Sequence, residues 1–456
     1  MAWVSARTGL GLLAAVVLAG AAQATEPPVL PMSETEAAHP ALPPILTPRE
    51  RARVVDAILA DRLETVIPQV MRRHGVDMWV LVAREYLEDP VVATMLDARS
   101  LRARRRTILV FHDPGEGRPV ERLTVSRYGL GGLFTPTWNP EVEPDQWKAL
   151  AGVIAARSPK KIALNVSSQT AFGDGLTKSQ HDELVAALDP ALRARIVSGE
   201  DLAVSWLETR TPMEMRLYPG VVRLAHAVLA EGHSAKVIKP GVTTTDDVAW
   251  FYRQRLAGLG IDTWFHPSVG VHRQGVKELL SGDTVIRPGD LVWTDFGITY
   301  LRLNTDTQHL AYVLKPGETD APAGLKAGLA AANRIQDAVT AAFRTGASGN
   351  EVLATARRAS IAQGLKPSIY SHPLGYHGHG AGPPVGMWDN QAGDDRGQGR
   401  IAPDTVWSIE LSAFADVPEW GGQEVQFRTE EDAVFDGRTV RYLDGRQTAL
   451  TLIPSR

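Results

Sequence analysis

Gly289-Asp290-Leu-Val-Trp-Thr-Asp295-Phe-Gly297, followed by Leu303-Asn-Thr-Asp306-Thr-Gln-His309, is the stretch on which the reading of the fold turns. A turn at Pro288 to Asp290 opens an apolar run that ends on one carboxylate, Asp295, and a second short turn leads to another, Asp306, 11 residues on. Two antiparallel strands joined in this way would place both carboxylates at one end of a sheet. Three further side chains of the same chemical type lie downstream. His379 stands in Gly378-His379-Gly380-Ala381-Gly382, Glu410 ends Val406-Trp-Ser-Ile-Glu410, and Glu430 falls in Phe427-Arg-Thr-Glu430-Glu-Asp-Ala-Val434. Carboxylates with a single imidazole are what a pair of hard or borderline divalent cations takes, so the five argue for a hydrolytic dinuclear metal site.

The segments around these residues carry an internal repeat. Lys239-Pro-Gly-Val-Thr243 introduces a helical pattern that runs to Leu259-Gly260, and roughly 105 residues later Arg344-Thr-Gly-Ala-Ser348 introduces another that runs to Gln363-Gly364. Each copy has a glycine turn, a hydroxyl at the N-cap and a glycine at the helix end. Two related halves around a shared cleft would follow. Before the first copy, Met213 to Val237 has helical character, with Pro219-Gly220 expected to break or kink it near its start.

Upstream of this unit the chain reads as an α/β domain. Helical spacing covers Arg49 to His74, Asp145 to Ala156 and Ser179 to Ala186, and strand-like runs fall at Met78–Val82, Thr107–Phe111, Arg122–Ser126 and Lys161–Asn165. No catalytic cluster is evident there; the run Arg102 to Arg106 reads as solvated or interface charge. At the N-terminus, Arg7, the apolar run Leu10 to Ala21 and Ala22-Gln23-Ala24 form the pattern of a signal peptide with its cleavage site. The competing description, an uncleaved anchor, requires roughly 20 apolar residues, more than this run supplies. Thr25 to Pro48 is proline-rich and reads as an extended leader. The expected organisation is a signal peptide (1–24), a leader (25–48), an α/β domain (49–204) and a catalytic domain (205–456).

Composition narrows the partners. With 44% apolar and 22% charged residues among 456 and a net charge of −4, the chain has ordinary globular composition and no basic stripe for a phosphate backbone, which excludes nucleic acid as the expected partner. Small or peptide substrates remain. Zero cysteines leave no disulfide, which a protein of this size tolerates on export. The expected location is therefore periplasmic or secreted, with no membrane attachment once the signal is removed.

Taken together, these motifs resemble the pita-bread metallohydrolases, which include methionine aminopeptidase, prolidase, Xaa-Pro aminopeptidase and the metal-free creatinase. The resemblance rests on Arg287-Pro-Gly-Asp290 before Asp295, then Asp306, Gly378-His379 with Gly382, Ser408-Ile-Glu410, and Arg428-Thr-Glu430-Glu431-Asp432. It covers about residues 205 to 455, and the preceding unit more loosely resembles the creatinase-type N-terminal domain. The implied fold is α/β, with a pita-bread domain of pseudo-twofold βααβ-type halves. The implied activity is hydrolysis of the N-terminal peptide bond through a water shared by two divalent ions, manganese, cobalt or zinc. By resemblance, Asp306 and Glu430 would bridge the ions, Asp295 would complete one site, and His379 and Glu410 the other. Glu410 would also serve as base or proton shuttle, and Glu431 is the rival of Glu430. The family often forms homodimers. A lyase or non-peptide C–N hydrolase, or a silent metal-binding protein, is the alternative, because fold does not dictate function.

Departures from the family pattern leave the substrate open. The histidine expected seven or eight residues after the ligand His379 is absent, where the chain reads Pro383 to Asp389. Lys277 and Glu278 stand where an upstream histidine is usual, and Asp306-Thr-Gln-His309 replaces Asp-x-Thr-Arg. Candidate replacements are His377 and His309 as catalytic groups, and His266, His272, His377 and Trp388 as substrate-binding groups. His372, seven residues before His379, is a further histidine near the site. The Gly393 to Gly399 run reads as a mobile loop without chemistry.

Overall fold

The structure, a computed structural model, describes residues 42–455. The expected signal segment and the leader up to residue 41 lie outside the described residues. The last part of the leader is packed: Leu42, Ile45 and Leu46 cover the apolar core beneath the first helix, and the Leu46 N–H donates to the Tyr300 hydroxyl at 2.9 Å. Among the described residues, no helix is long and apolar enough to cross a membrane.

The N-terminal unit comprises α1 (Pro48–His74), β1 (Met78–Arg84), α2 (Pro90–Met95), β2 (Arg106–His112), β3 (Glu121–Thr124), β4 (Thr135–Pro136), α3 (Gln146–Arg157), β5 (Ile162–Leu164), α4 (Lys178–Ala187), α5 (Pro190–Arg193), β6 (Ile196–Ser198) and α6 (Glu200–Glu208). Thr47 and Glu50 form a capping box at the start of α1, and Gly75, left-handed at φ 61°, ends it. The six strands run in the order β4-β3-β2-β1-β5-β6, with β1 antiparallel to β2 and parallel to β5. Strand alternation sends Trp79, Leu81 and Ala83 into the layer of α1, α2 and α6. Met78, Val80 and Val82 face the layer of α3 and α4. A strand covered on both faces is continuously apolar, which is why β1 was legible as a run. The boundary expected at residue 205 falls inside α6, whose Leu202, Ala203, Trp206 and Leu207 belong to the N-terminal core.

The C-terminal unit follows as α7 (Pro212–Gly232), α8 (Thr245–Leu259), β7 (Ser268–His272), β8 (Leu280–Ser281), β9 (Leu291–Phe296), β10 (Thr299–Tyr300), β11 (Leu303–Asn304) and β12 (Thr307–Val313). The second half is α9 (Ala323–Ala342), α10 (Gly349–Ala362), β13 (Lys366–Ile369), β14 (His372–Leu374), β15 (Thr405–Ser408), β16 (Leu411–Val417), β17 (Gln423–Thr429), β18 (Asp432–Phe435), β19 (Val440–Tyr442) and β20 (Thr451–Ile453). The repeat is real in structure. α8 and α10 both start on a capping box, from Thr244 and Ser348. The strand triplets β7-β9-β12 and β13-β16-β17 have the same chain order and the same antiparallel pairing. The break expected at Pro219-Gly220 does not occur: α7 runs through both residues, which are fully packed inside the unit. Tertiary burial outweighs the lost backbone bond there.

The two units meet on a buried ion network. Glu214, the N3 residue of the α7 capping box, contacts Arg62 of α1 at 2.7 Å and Arg210 at 2.9 Å, all three side chains being wholly excluded from solvent. Arg62 also donates to the Thr209 carbonyl at 2.6 Å. Removing the carboxylate strands two buried guanidiniums, so Glu214→Ala is expected to cost about 3–5 kcal/mol. Urea unfolding measures it, and a loss below about 1 kcal/mol would contradict the arrangement.

Glu208, at the end of α6, gives a pH signature. Burial pushes its carboxyl up to about 8, against the nearby charges of Arg73 and Arg210. A raised carboxyl pKa means that its neutral form suits the fold; the stability it contributes is complete below the ordinary value of 4.5 and is lost as pH rises towards 8. Glu208→Gln keeps the neutral shape at every pH. Its stability relative to wild type should therefore grow between pH 5 and pH 8 in urea titrations; a pH-independent difference would show Glu208 to be ionised throughout.

Candidate metal centre

Each half supplies two of the carboxylates. Asp295 lies near the end of β9 and Asp306 immediately precedes β12; Glu410 sits between β15 and β16, and Glu430 between β17 and β18. A backbone pair joins the halves at this point: the Gln308 N–H donates to the Glu430 carbonyl at 3.1 Å, and the Glu430 N–H donates back at 3.3 Å. The carboxylates line one cavity of about 860 Å³ together with Trp264, Trp293, Tyr370, His379, Trp388, Arg396 and Arg428. A larger hollow of about 1120 Å³ on the N-terminal unit is lined by charges such as Arg72 and Asp113, which pair with each other at 2.8 Å. It holds no convergent set of ligands.

The imidazole among the carboxylates is that of His372, and this corrects the expectation for His379. His372 Nε2 lies 3.5 Å from Asp306 Oδ2, 3.6 Å from Glu430 Oε1 and 3.9 Å from Glu410 Oε2. Atoms of Asp306, His372 and Glu430 all fall within 4.8 Å of one another, as a shared ion would require. His372 Nδ1 faces the Pro373 carbonyl at 3.1 Å. Since a carbonyl only accepts, Nδ1 carries the proton and Nε2 is left with a lone pair for a ligand. With His372 in this place, His379 falls seven residues on, and the histidine counted as missing is present. His379 is exposed; its ring lies 4.8 Å from that of His372 and 5.2 Å from that of Trp264, edge-on to both. The glycines around it allow that approach: a Cβ on Gly378 would lie 2.2 Å from the Trp264 indole.

The first residues around the cluster hold it rigid. Both oxygens of Asp432 accept from the Asp306 N–H, at 3.1 and 3.3 Å, and the Ser408 hydroxyl donates to Glu430. Gln308 Nε2 donates to Glu410 at 2.8 Å and to Glu430 at 2.7 Å, while its Oε1 accepts from Trp293 Nε1 at 2.9 Å. This amide, at the position where the sequence departs from the family pattern, therefore orients two ligands and is the functional residue that sequence reasoning passed over. Burial, reinforced by the negative charge of Glu430, holds the carboxyls of Asp295, Asp306 and Glu410 well above their usual range. Such mutual repulsion is what a bound cation would relieve. Asp295 Oδ1, Asp306 Oδ1 and His372 Nε2 are buried without a hydrogen-bond partner. The unsatisfied atoms and the oxygen-rich donor set with one imidazole fit divalent cations.

The other candidates fall outside this cluster. His309 turns to the opposite face of β12 and contacts Glu431 at 3.0 Å, so neither it nor Glu431 lines the cavity. His266 is exposed and lies against Trp250, 5.1 Å between ring centres. Buried His272 lies 3.3 Å from Arg428, and burial with that charge lowers its pKa to about 4. His377 packs on Phe172 of the N-terminal unit at 4.6 Å. Of the substrate-binding candidates, Trp388 alone lines the cavity, and it is 72% exposed. The glycine-rich run after it carries more than expected: Arg396 lines the cavity, and the Asp394 carbonyl accepts from Asn350 of α10 at 2.7 Å.

Two sheet-bearing halves closing on a carboxylate cluster define a pita-bread metal-dependent hydrolase. The profile of metallopeptidase family M24 matches residues 220–435, and that C-terminal unit is a metal-dependent peptidase domain of this family. No curated protein sequence matches the chain. Among solved structures it is similar to the X-Pro aminopeptidase of Thermotoga maritima, with 16% identity and a TM-score of 0.60 over 84% of this chain and 99% of that one. It is likewise similar to a histidine-to-alanine variant of Escherichia coli aminopeptidase P (14%, TM-score 0.56, 89% and 96% covered). A third is the Xaa-Pro dipeptidase of Bacillus anthracis (16%, TM-score 0.55, 86% and 99% covered). At these identities the likeness is one of fold, and its coverage includes the N-terminal unit.

Proposed function

We propose that this protein is an exported, Xaa-Pro aminopeptidase-like enzyme that holds two divalent ions and hydrolyses the N-terminal peptide bond of peptides. The observation that carries the reading is the convergence of Asp295, Asp306, Glu410 and Glu430 on one aromatic-walled cavity, with the His372 imidazole among them. Asp306 and Glu430, the most buried of the carboxylates and both within reach of His372, would hold the ions together with Asp295, His372 and Glu410. Manganese, cobalt and zinc all suit this set. When bound, such ions supply Lewis acidity to a carbonyl oxygen and to water.

The chain's own groups account for the remaining steps. Trp264, Trp293, Tyr370 and Trp388 offer ring faces on which a prolyl ring can rest. His379, beside the cluster and open to the cavity, is placed to donate to the carbonyl oxygen as negative charge develops there. Glu410 keeps 23% of its side chain exposed, so it can take a proton from the attacking water and pass it to the leaving nitrogen. Arg428 lies beside Trp293, 5.2 Å from its ring centre, and lines the same cavity with its charge near Glu410. Export rests on the apolar run Leu10 to Ala21 and the Ala22-Gln23-Ala24 site.

Two histidine variants separate the roles. His372→Ala should lose bound metal, read by elemental analysis of the purified protein, together with nearly all turnover. His379→Ala should keep the full metal content and lose roughly 100- to 1000-fold in kcat, the cost of removing one donor to a developing oxyanion. The reverse pattern would return the ligand role to His379. The deciding assay is release of the first residue from Xaa-Pro peptides; turnover confined to non-peptide C–N substrates would contradict the proposal.

A further inference from the structure

A second group of ligand-type side chains sits behind the metal centre. Gln308 and Glu430 face the cavity, so strand alternation turns their neighbours His309 and Glu431 to the opposite face, where His226 of α7 meets them. His226 Nε2 lies 3.3 Å from Glu431 Oε2, and His309 Nε2 lies 3.0 Å from Glu431 Oε1. The two rings are 5.1 Å apart, and one atom from each of the three residues falls within 4.8 Å of the others. Glu431 is 1% exposed, His226 11% and His309 15%.

We infer that His226, His309 and Glu431 form a separate binding site for a zinc-class divalent cation, one that fastens α7 to the back of the catalytic strands. A tetrahedral zinc ion with bonds of about 2.0–2.1 Å separates its ligand atoms by about 3.3 Å, close to both nitrogen-to-oxygen distances seen. The arrangement without metal is a carboxylate bonded to two imidazoles. It accounts for His309, but His226 Nε2 and Glu431 Oε2, both buried and 3.3 Å apart, make no well-directed hydrogen bond to each other or to any other group. An ion between them satisfies both. His226 Nδ1 meets Asp444 Oδ2 at 3.1 Å, and Arg223 Nε holds that aspartate at 2.9 Å. This is the carboxylate–histidine support that fixes Nε2 towards a metal. With two imidazoles to one carboxylate, the site favours zinc or cobalt, whereas the oxygen-rich centre on the other face suits harder ions.

The test is equilibrium dialysis of the full-length mature protein against zinc sulfate. Wild type should bind one equivalent more than His226→Asn, and Asp444→Asn should retain that equivalent with affinity weakened about 10- to 100-fold. Asp306→Asn should keep it undiminished, because that variant reports only on the catalytic ions. Equal zinc stoichiometry in wild type and His226→Asn would overturn the inference. If His226→Asn does not fold, diffraction at the zinc edge from wild-type crystals decides: a peak between His226 and Glu431 is expected, and its absence would show an adventitious grouping of side chains.

Discussion

The backbone pair between Gln308 and Glu430 is the joint on which the catalytic half of the molecule depends. It links a strand of the first repeat to a strand of the second, and strand geometry then dictates where every neighbouring side chain points. One face of the joint receives Gln308 and Glu430, with Asp306 just upstream; the other receives His309 and Glu431. A slip of a single residue in either strand would exchange the two sets and empty the centre of its ligands.

Electrostatics explains why the joint is so heavily braced. Several carboxylates converge with little solvent, and their repulsion holds Asp295, Asp306 and Glu410 above the usual carboxylate range. The groups opposing that repulsion are donors placed by the fold, the Gln308 amide and the Ser408 hydroxyl. A site held in this way has its geometry in place before a cation arrives. The buried Arg62–Glu214–Arg210 network performs a related task at a distance. It anchors α7 to the N-terminal unit, and α7 in turn packs against the strands that carry Asp295 and Asp306.

Much of this was legible in the chain because carboxylates on strands announce themselves by spacing. Asp295 and Asp306 stand at the ends of an antiparallel pair, as the turn signals implied, and the two capped helices marked the repeated halves. The histidine was misjudged for a physical reason. Both His372-Pro-Leu-Gly375 and His379-Gly-Ala-Gly382 offer an imidazole followed three residues later by glycine, and the glycine-rich context drew attention to the second. The choice is made by pairing across the sheet, where His372 stands opposite Ser408 next to the Glu410 turn, a contact that no local pattern encodes. Pro219 shows the same limit: its cost is local, while the packing that keeps α7 unbroken comes from elements far away in sequence. Gln308 carried no signal, because a glutamine becomes functional only through the two carboxylates that its amide reaches.

The most direct measurement is diffraction at the manganese edge from crystals of the manganese-loaded protein. Two peaks are expected among Asp295, Asp306, His372, Glu410 and Glu430, one of them within bonding distance of His372 Nε2. A map with no peak in that cluster, or with the ion on His379 and His372 unliganded, would contradict the assignment of the centre.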